Sequence, residues 1–271
     1  MEYVTVLSIA GSDCSGGAGL QADLKTISAL GCYAATVVTA VTAQNSCDVK
    51  SVFPVPPQMV KAQLDAVAGD LRIDAVKIGM LANEGIISTV ADFIESHVFP
   101  VVLDPIMVSS SGFPLLDPLA IDLLCKRLLP VSTLVTPNLP EASLLADMVV
   151  DNSEAMIIAG KRIVAMGSKA VLIKGGHLRE KVMTDVLVAN SGKEVSIFKA
   201  EKVETRNNHG TGCTLSSAIA AYLARGATLK QAVKSAKEYV SGALAAGKDV
   251  EIGKGHGSMN HFFNPQKLII K

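Results

Sequence analysis

At 271 residues the chain is long enough to bury a large core, and one α/β domain of that size, here residues 1–271, is ordinary. Its 25 Lys and Arg balance 25 Asp and Glu with no basic run, Trp is absent and aromatics are few, which argues against a nucleic-acid partner, a membrane partner and base-stacking platforms. No apolar run reaches membrane-spanning length, no basic n-region opens the chain, and five scattered cysteines without a C-x-x-C pair read as reduced thiols, so a cytoplasmic protein is expected.

Val4 to Ala10 is a near-continuous apolar run and reads as a buried parallel strand, bounded by Gly11-Ser12-Asp13. Ser15-Gly16-Gly17-Ala18-Gly19 then leads into a helix with Leu20, Leu24, Ile27 and Leu30 on one face. Tyr33 to Ala43 reads as the next strand, and Val49 to Val55 alternates like an exposed edge strand or flap. Pro56-Pro57 starts a helix, Ala75 to Gly79 is a short strand, and a helix runs through Ile86, Val90 and Ile94. The alternation continues with strands at Pro100–Leu103, Thr133–Thr136 and Ala170–Ile173, and with helices at Pro118–Leu129, after Asn138, and at Ser153–Met166. Val182–Ala189 and Glu194–Phe198 flank Asn190-Ser191-Gly192 as a hairpin, and two helices follow before a glycine-rich tail. Strands alternating with helices predict an α/β fold: a central, mainly parallel sheet with helices on both faces.

In such a sheet, ligands bind beyond the carboxyl ends of the strands. Those ends carry Asp13, Gln44, Asp104, Asn138 with Glu141, and Lys174. The stretch Thr205 to Ala218 passes from a polar, glycine-punctuated loop into a helix with Leu215, Ala218, Ile219 and Tyr222 at helical spacing. Gly210, Thr211 and Gly212 therefore form a loop that feeds a helix N-terminus at Cys213, where unpaired N–H groups and the macrodipole favour an anion. The same field should favour a thiolate at Cys213. Two carboxylates, a lysine, an anion hole and a thiol form a phosphoryl-transfer set, because that chemistry needs positioning and charge neutralisation. Plainer readings exist: Asp104-Pro105 as a turn, Glu141 as a helix-start carboxylate, Lys174 as a solvated side chain, and His209 as a loop-shaping or phosphate-contacting residue. Cys14, Cys32, Cys47 and Cys125 read as inert fillers.

The motifs Ala10-Gly11-Ser12-Asp13 through Thr26, Ala43-Gln44-Asn45, Lys77-Ile78-Gly79-Met80-Leu81, Thr136 through Ala142, Lys174-Gly175-Gly176-His177 and His209 through Thr214 run in order along nearly the whole chain. Together they resemble the hydroxymethylpyrimidine and phosphomethylpyrimidine kinases of thiamine biosynthesis, in the ribokinase-like superfamily. The resemblance implies that fold, with a small β flap over Tyr33 to Phe53. It implies ATP and Mg²⁺ as cofactors, an aminopyrimidine as substrate and a homodimer as the assembly. By the same resemblance Gly11, Asp23 and Gln44 would contact the pyrimidine, with Met80 and Val108 lining its pocket. Lys174 would hold ATP phosphates, Asp104 and Glu141 would lie near Mg²⁺ and its waters, the Gly210–Cys213 amides would form the anion hole, and Cys213 would stand where related sugar kinases carry an Asp base. The chain departs from some members at Ser109-Ser110-Ser111-Gly112, where they have a basic residue. A pyridoxal kinase shares the glycine loop and the cysteine and is the alternative, but that branch tends to carry Met at the place of Gln44. A non-catalytic pyrimidine binder would have no need of Lys174, Asp104, Glu141 and Cys213.

Overall fold

The structure is a computed structural model and describes residues 1–109, 112–176 and 182–271, so Ser110, Ser111 and His177 lie outside the described residues. Among the described residues, nine strands form one sheet in the order β3-β2-β1-β4-β5-β6-β7-β8-β9. They are β1 (Thr5–Asp13), β2 (Tyr33–Gln44), β3 (Val49–Pro54), β4 (Ala75–Ile78), β5 (Val101–Leu103), β6 (Leu134–Val135), β7 (Ala170–Ile173), β8 (Val182–Ala189) and β9 (Glu194–Glu201). From β2 to β7 neighbouring strands pair parallel. β3 and the β8–β9 hairpin add antiparallel edges.

The short central strands are apolar at every position but Lys77 of β4, because helices cover both faces. In β4, Val76 and Ile78 point into one core and Ala75 into the other, as the period of two requires. The first core receives α2 (Pro57–Ala68), α3 (Glu84–Glu95), α4 (Ile121–Arg127), α5 (Leu139–Ala146) and α6 (Ser153–Ala165). The second receives α1 (Gly19–Ala29), α7 (Thr211–Ala224) and α8 (Leu229–Gly247). α3, α5, α6 and α8 start at Asn83, Asn138, Asn152 and Thr228, whose side chains accept an N–H of the first turn.

Four expectations shift. β1 continues past Ala10 to Asp13, with a register change between Ala10 and Gly11, because Gly11–Asp13 pair with Ala40–Thr42. The flap is therefore the far half of β2 with β3, not all of Tyr33 to Phe53, since the first half of β2 lies inside the parallel sheet. Pro118–Leu129 is broken into a 3-10 turn, Pro118–Ala120, and α4. In α1 the buried face runs through Leu20, Asp23, Ile27 and Leu30, while Leu24 is exposed.

Candidate active site

Each strand end delivers one polar group to the same edge of the sheet. Asp13 ends β1, Gln44 ends β2, Asp104 follows β5 and Lys174 follows β7. Glu141 enters from the first turn of α5, where it and Asn138 form a reciprocal cap: Glu141 N–H donates to Asn138 Oδ1 at 2.9 Å and Asn138 N–H to Glu141 Oε2 at 2.8 Å. The helix-start reading of Glu141 thus holds together with a place in the site, because Glu141 also lines the cleft.

Lys174 Nζ donates to Asp104 Oδ1 at 2.7 Å. Asp104 is 1% exposed and also accepts from Thr136 Oγ1 at 3.1 Å and Ser216 Oγ at 3.3 Å. Burial pulls the Lys174 pKa down, and the carboxylates of Asp104 and Glu141 more than reverse this, leaving it above the ordinary lysine value. Burial raises Glu141, and neighbouring Asp104 adds to the rise; Lys174 and the Asn138 N–H oppose it, and the net direction is upward. Among the described residues no three His, Cys, Asp or Glu side chains converge as a metal cage. Two carboxylates lining one cavity nevertheless suit a hard cation that keeps most of its water, as Mg²⁺ does.

α7 begins beside this pair. Gly210 caps it in the left-handed region (φ 82°), and the first helical bond runs from Thr214 N–H to the Gly210 carbonyl at 2.9 Å. Gly212 and Cys213 amides lie in the first turn, where no intrahelical acceptor exists. Thr211 is different: its N–H reaches the Asn208 carbonyl at 3.3 Å, which leaves the Gly212 and Cys213 amides as the ones an anion could take. A methyl group on Gly212 would stand 3.3 Å from Lys174 Nζ, which shows how closely the lysine faces the loop. Cys213 departs from expectation. Its thiol is 7% exposed, and burial pushes it up to about 11 although Lys77 and a Gly19 N–H act the other way.

The cleft, of about 180 Å³, is lined by Gly11, Gln44, Met80, Asp104, Val108, Glu141, Lys174, Gly210, Gly212 and Cys213. Ten of the expected site positions thus meet in one place. Thr211 instead lines a second cavity of about 490 Å³ with Asp185, Thr205, Lys237 and Leu244, on the other side of Lys174, Gly210 and Gly212. Asp23 is corrected: it does not line the cleft. Its side chain is fully buried beneath it, where it accepts from Lys77 Nζ (2.7 Å), Ser8 Oγ (2.6 Å) and Ser217 Oγ (2.7 Å). A buried ammonium needs a carboxylate partner, and that requirement places Asp23 on the apolar face of α1.

Other residues find partners that the sequence did not indicate. His209 reaches Asp13 Oδ2 at 2.9 Å, which makes it loop-shaping. Asp185 accepts from Lys237 and from the Gly175 N–H, a fixed pair in the wall of the second cavity. Cys14 is exposed and hydrogen-bonds the Gln44 backbone, so it is no filler. The pairings of His209 with Asp13, Asp185 with Lys237 and Cys14 with Gln44 had no sequence signal, because these partners lie 30 or more residues apart in the chain.

Residues 13–260 match the phosphomethylpyrimidine kinase family. A hydroxymethylpyrimidine/phosphomethylpyrimidine kinase of Salmonella typhimurium is 49% identical over 264 residues, 97% of this chain and 98% of its own. Among solved structures, a pyridoxal kinase of Bacillus subtilis in an ADP complex aligns with a TM-score of 0.87 at 36% identity, over 96% of this chain and 98% of that one. The phosphomethylpyrimidine kinase of Clostridium difficile 630 aligns with a TM-score of 0.78 at 40% identity, over 89% of this chain and 99% of that one. The fold is the ribokinase-like α/β fold, and the molecule is an ATP-using phosphotransferase. With a strand-end lysine facing a helix-start anion hole, and with that similarity along almost its entire length, the chain belongs to the hydroxymethylpyrimidine/phosphomethylpyrimidine kinase family.

Proposed function

We propose that the chain, acting as one kinase domain in the cytoplasm, phosphorylates the hydroxymethyl group of 4-amino-5-hydroxymethyl-2-methylpyrimidine with ATP and then phosphorylates the monophosphate, a step of thiamine biosynthesis. The observation that carries the proposal is the shared wall: Lys174, Gly210 and Gly212 line both the polar-ended cleft and the larger cavity beyond. Nucleotide in the larger cavity and acceptor in the cleft would meet at that wall. The acceptor oxygen forms a bond to the γ-phosphorus as the bond to ADP breaks, and charge spreads over the transferring oxygens. Lys174 and the Gly212 and Cys213 amides neutralise that charge. Mg²⁺, near Asp104 and Glu141 and largely hydrated, would supply further neutralisation of the phosphates. Gly11, Met80 and Val108 wall the pyrimidine, and Gln44 offers its ring edge a donor and an acceptor on one amide.

In the first step the alcohol must lose a proton, which Cys213 can accept only in the fraction ionised to thiolate; in the second the acceptor oxygen is already anionic. Pyridoxal kinase is the competing activity, and Gln44 disfavours it because an amide placed for a pyrimidine edge is left unpaired by a different ring. The active unit is a homodimer joined through the exposed β2–β3 ribbon. The experiment incubates purified protein with Mg-ATP and each acceptor (the pyrimidine, its monophosphate and pyridoxal) and follows phosphate by mass spectrometry. Both pyrimidines should be phosphorylated, and preference for pyridoxal would reject the proposal. Lys174→Ala should raise KM for ATP and lower kcat about a hundred-fold, with the fold retained although Asp104 loses its ion-pair partner. Wild-type kinetics in that variant would remove the lysine from the phosphate site.

A further inference from the structure

At the pyrimidine end of the cleft, Asp13 and His209 are assigned no chemistry, yet both are tied to Gln44. Asp13 is 3% exposed. Its Oδ1 accepts from the Ser15 N–H at 2.8 Å and Ser15 Oγ at 2.7 Å, and its Oδ2 from the Ala18 N–H at 2.9 Å. Oδ2 also meets His209 Nε2 at 2.9 Å. Burial alone would raise this carboxyl, but His209, Ser15 and Ala18 together hold it down at about 2. An ionised carboxylate has no proton to give, so the hydrogen between the two groups sits on His209 Nε2.

That proton decides the orientation of Gln44. One end of the Gln44 amide lies 3.3 Å from His209 Nε2 and the other 3.2 Å from Thr42 Oγ1. With the amide nitrogen against His209, two N–H donors face each other. Turned through half a rotation, the amide oxygen shares the one Nε2 hydrogen with Asp13 Oδ2, as the longer arm of a three-centre bond, and the NH₂ group donates to Thr42 Oγ1. Thr42 can accept, because its own hydrogen goes to the Ser12 carbonyl at 3.0 Å. Amide oxygen and nitrogen are distinguished by such networks. The residue is held on two sides: its backbone N–H donates to the Gly257 carbonyl at 3.0 Å, and the imidazole packs so closely on Gly17 that a side chain there would overlap it.

We infer that His209, anchored by Asp13, is the positioning residue that turns the Gln44 amide with its oxygen towards His209 and its NH₂ towards Thr42, and so sets the order of donor and acceptor offered to the acceptor's ring. The inference rests on the reading of Gln44 as the pyrimidine-edge contact. A ring edge of the opposite order would then meet donor with donor, which makes the pair a determinant of acceptor selectivity.

The test is a double-mutant cycle in the full-length enzyme. His209→Leu should raise KM for the pyrimidine about ten-fold, with KM for ATP moving far less. His209→Gln, whose amide nitrogen can stand near the place of Nε2, should recover most of that loss. In a Gln44→Met background, His209→Leu should change the pyrimidine KM no further, since there is no amide left to orient. Additive effects, or a loss confined to kcat, would overturn the inference. ¹⁵N NMR of the wild-type imidazole gives a reading independent of any variant: a protonated Nε2 is expected, and an unprotonated one overturns the assignment. If Gln44→Met raises the pyrimidine KM and His209→Leu does not, this inference alone fails. If Gln44→Met leaves that KM unchanged, the pyrimidine-edge reading and this inference fail together.

Discussion

At Cys213 two electrostatic effects compete for one thiol. A helix N-terminus is worth about 0.3–1 kcal/mol to a negative charge, less than one pKa unit, whereas burial can move a group by several units. Burial wins, and the thiol stands at about 11, so the resting enzyme holds a neutral Cys213. A thiolate would then form only as pH climbs towards that value, so the alcohol step should accelerate from neutral pH upward while the monophosphate step stays flat. Cys213→Ala should slow the alcohol step by about 10²–10⁴-fold, far more than the monophosphate step. Assaying each acceptor separately decides it, and equal losses would reduce Cys213 to shaping the turn. Asp23 makes the complementary case. It shares a fully buried ion pair with Lys77, so Asp23→Ala leaves an unpaired ammonium in the core. Urea unfolding should show a loss of about 3–5 kcal/mol. A variant of wild-type stability with only a raised pyrimidine KM would return Asp23 to the site.

Among the elements, the turn into α7 is the most constrained. Gly210 has φ 82°, and a Cβ there would overlap the Gly17 carbonyl and stand 3.1 Å from Ala18 Cα. Glycine is required twice over, by backbone conformation and by the approach of the loop before α1. Gly210→Ala should therefore cost about 1–3 kcal/mol of stability and lower kcat at least about ten-fold, because the amides that follow are displaced from the transferring phosphoryl group. Steady-state kinetics alongside thermal melting would check both, and a stable variant with unchanged kcat would show that the anion hole does not depend on this turn. α5 illustrates an element used twice. Its capping pair, Asn138 and Glu141, satisfies the first turn and at the same time turns a carboxylate towards Lys174.

At the scale of the molecule, the sheet carries an apolar patch that no element covers among the described residues. Val41 of β2 and Phe53 of β3 are cross-strand partners, 47% and 69% exposed. This ribbon continues from the strand that ends at Gln44, so an assembly that covers it would also brace one wall of the cleft. Phe53→Asp should convert a dimer into a monomer in light scattering at micromolar concentration, since a carboxylate cannot be buried there unpaired. A wild-type monomer in that measurement would reject the homodimer.

The sequence alone determined the alternation of strand and helix, both core-covering layers and the strand-end placement of Asp104, Lys174 and Gln44. These follow from periodicities of two and 3.6 residues and from turn chemistry, which are local. It also located the entry to α7, because glycines ahead of an apolar helical run have few alternatives, although the helix opens at Thr211 and not at Cys213. Only the tertiary structure decided between Leu24 and Asp23 for the inner face of α1, because the partner that permits a buried carboxylate, Lys77, arrives on β4. Only it set the charge state of Cys213, which depends on how much protein closes over the thiol. And only it brought His209 against Asp13, 196 residues away in sequence, since hydrogen bonds over such separations exist only once the sheet has gathered its strand ends at one edge.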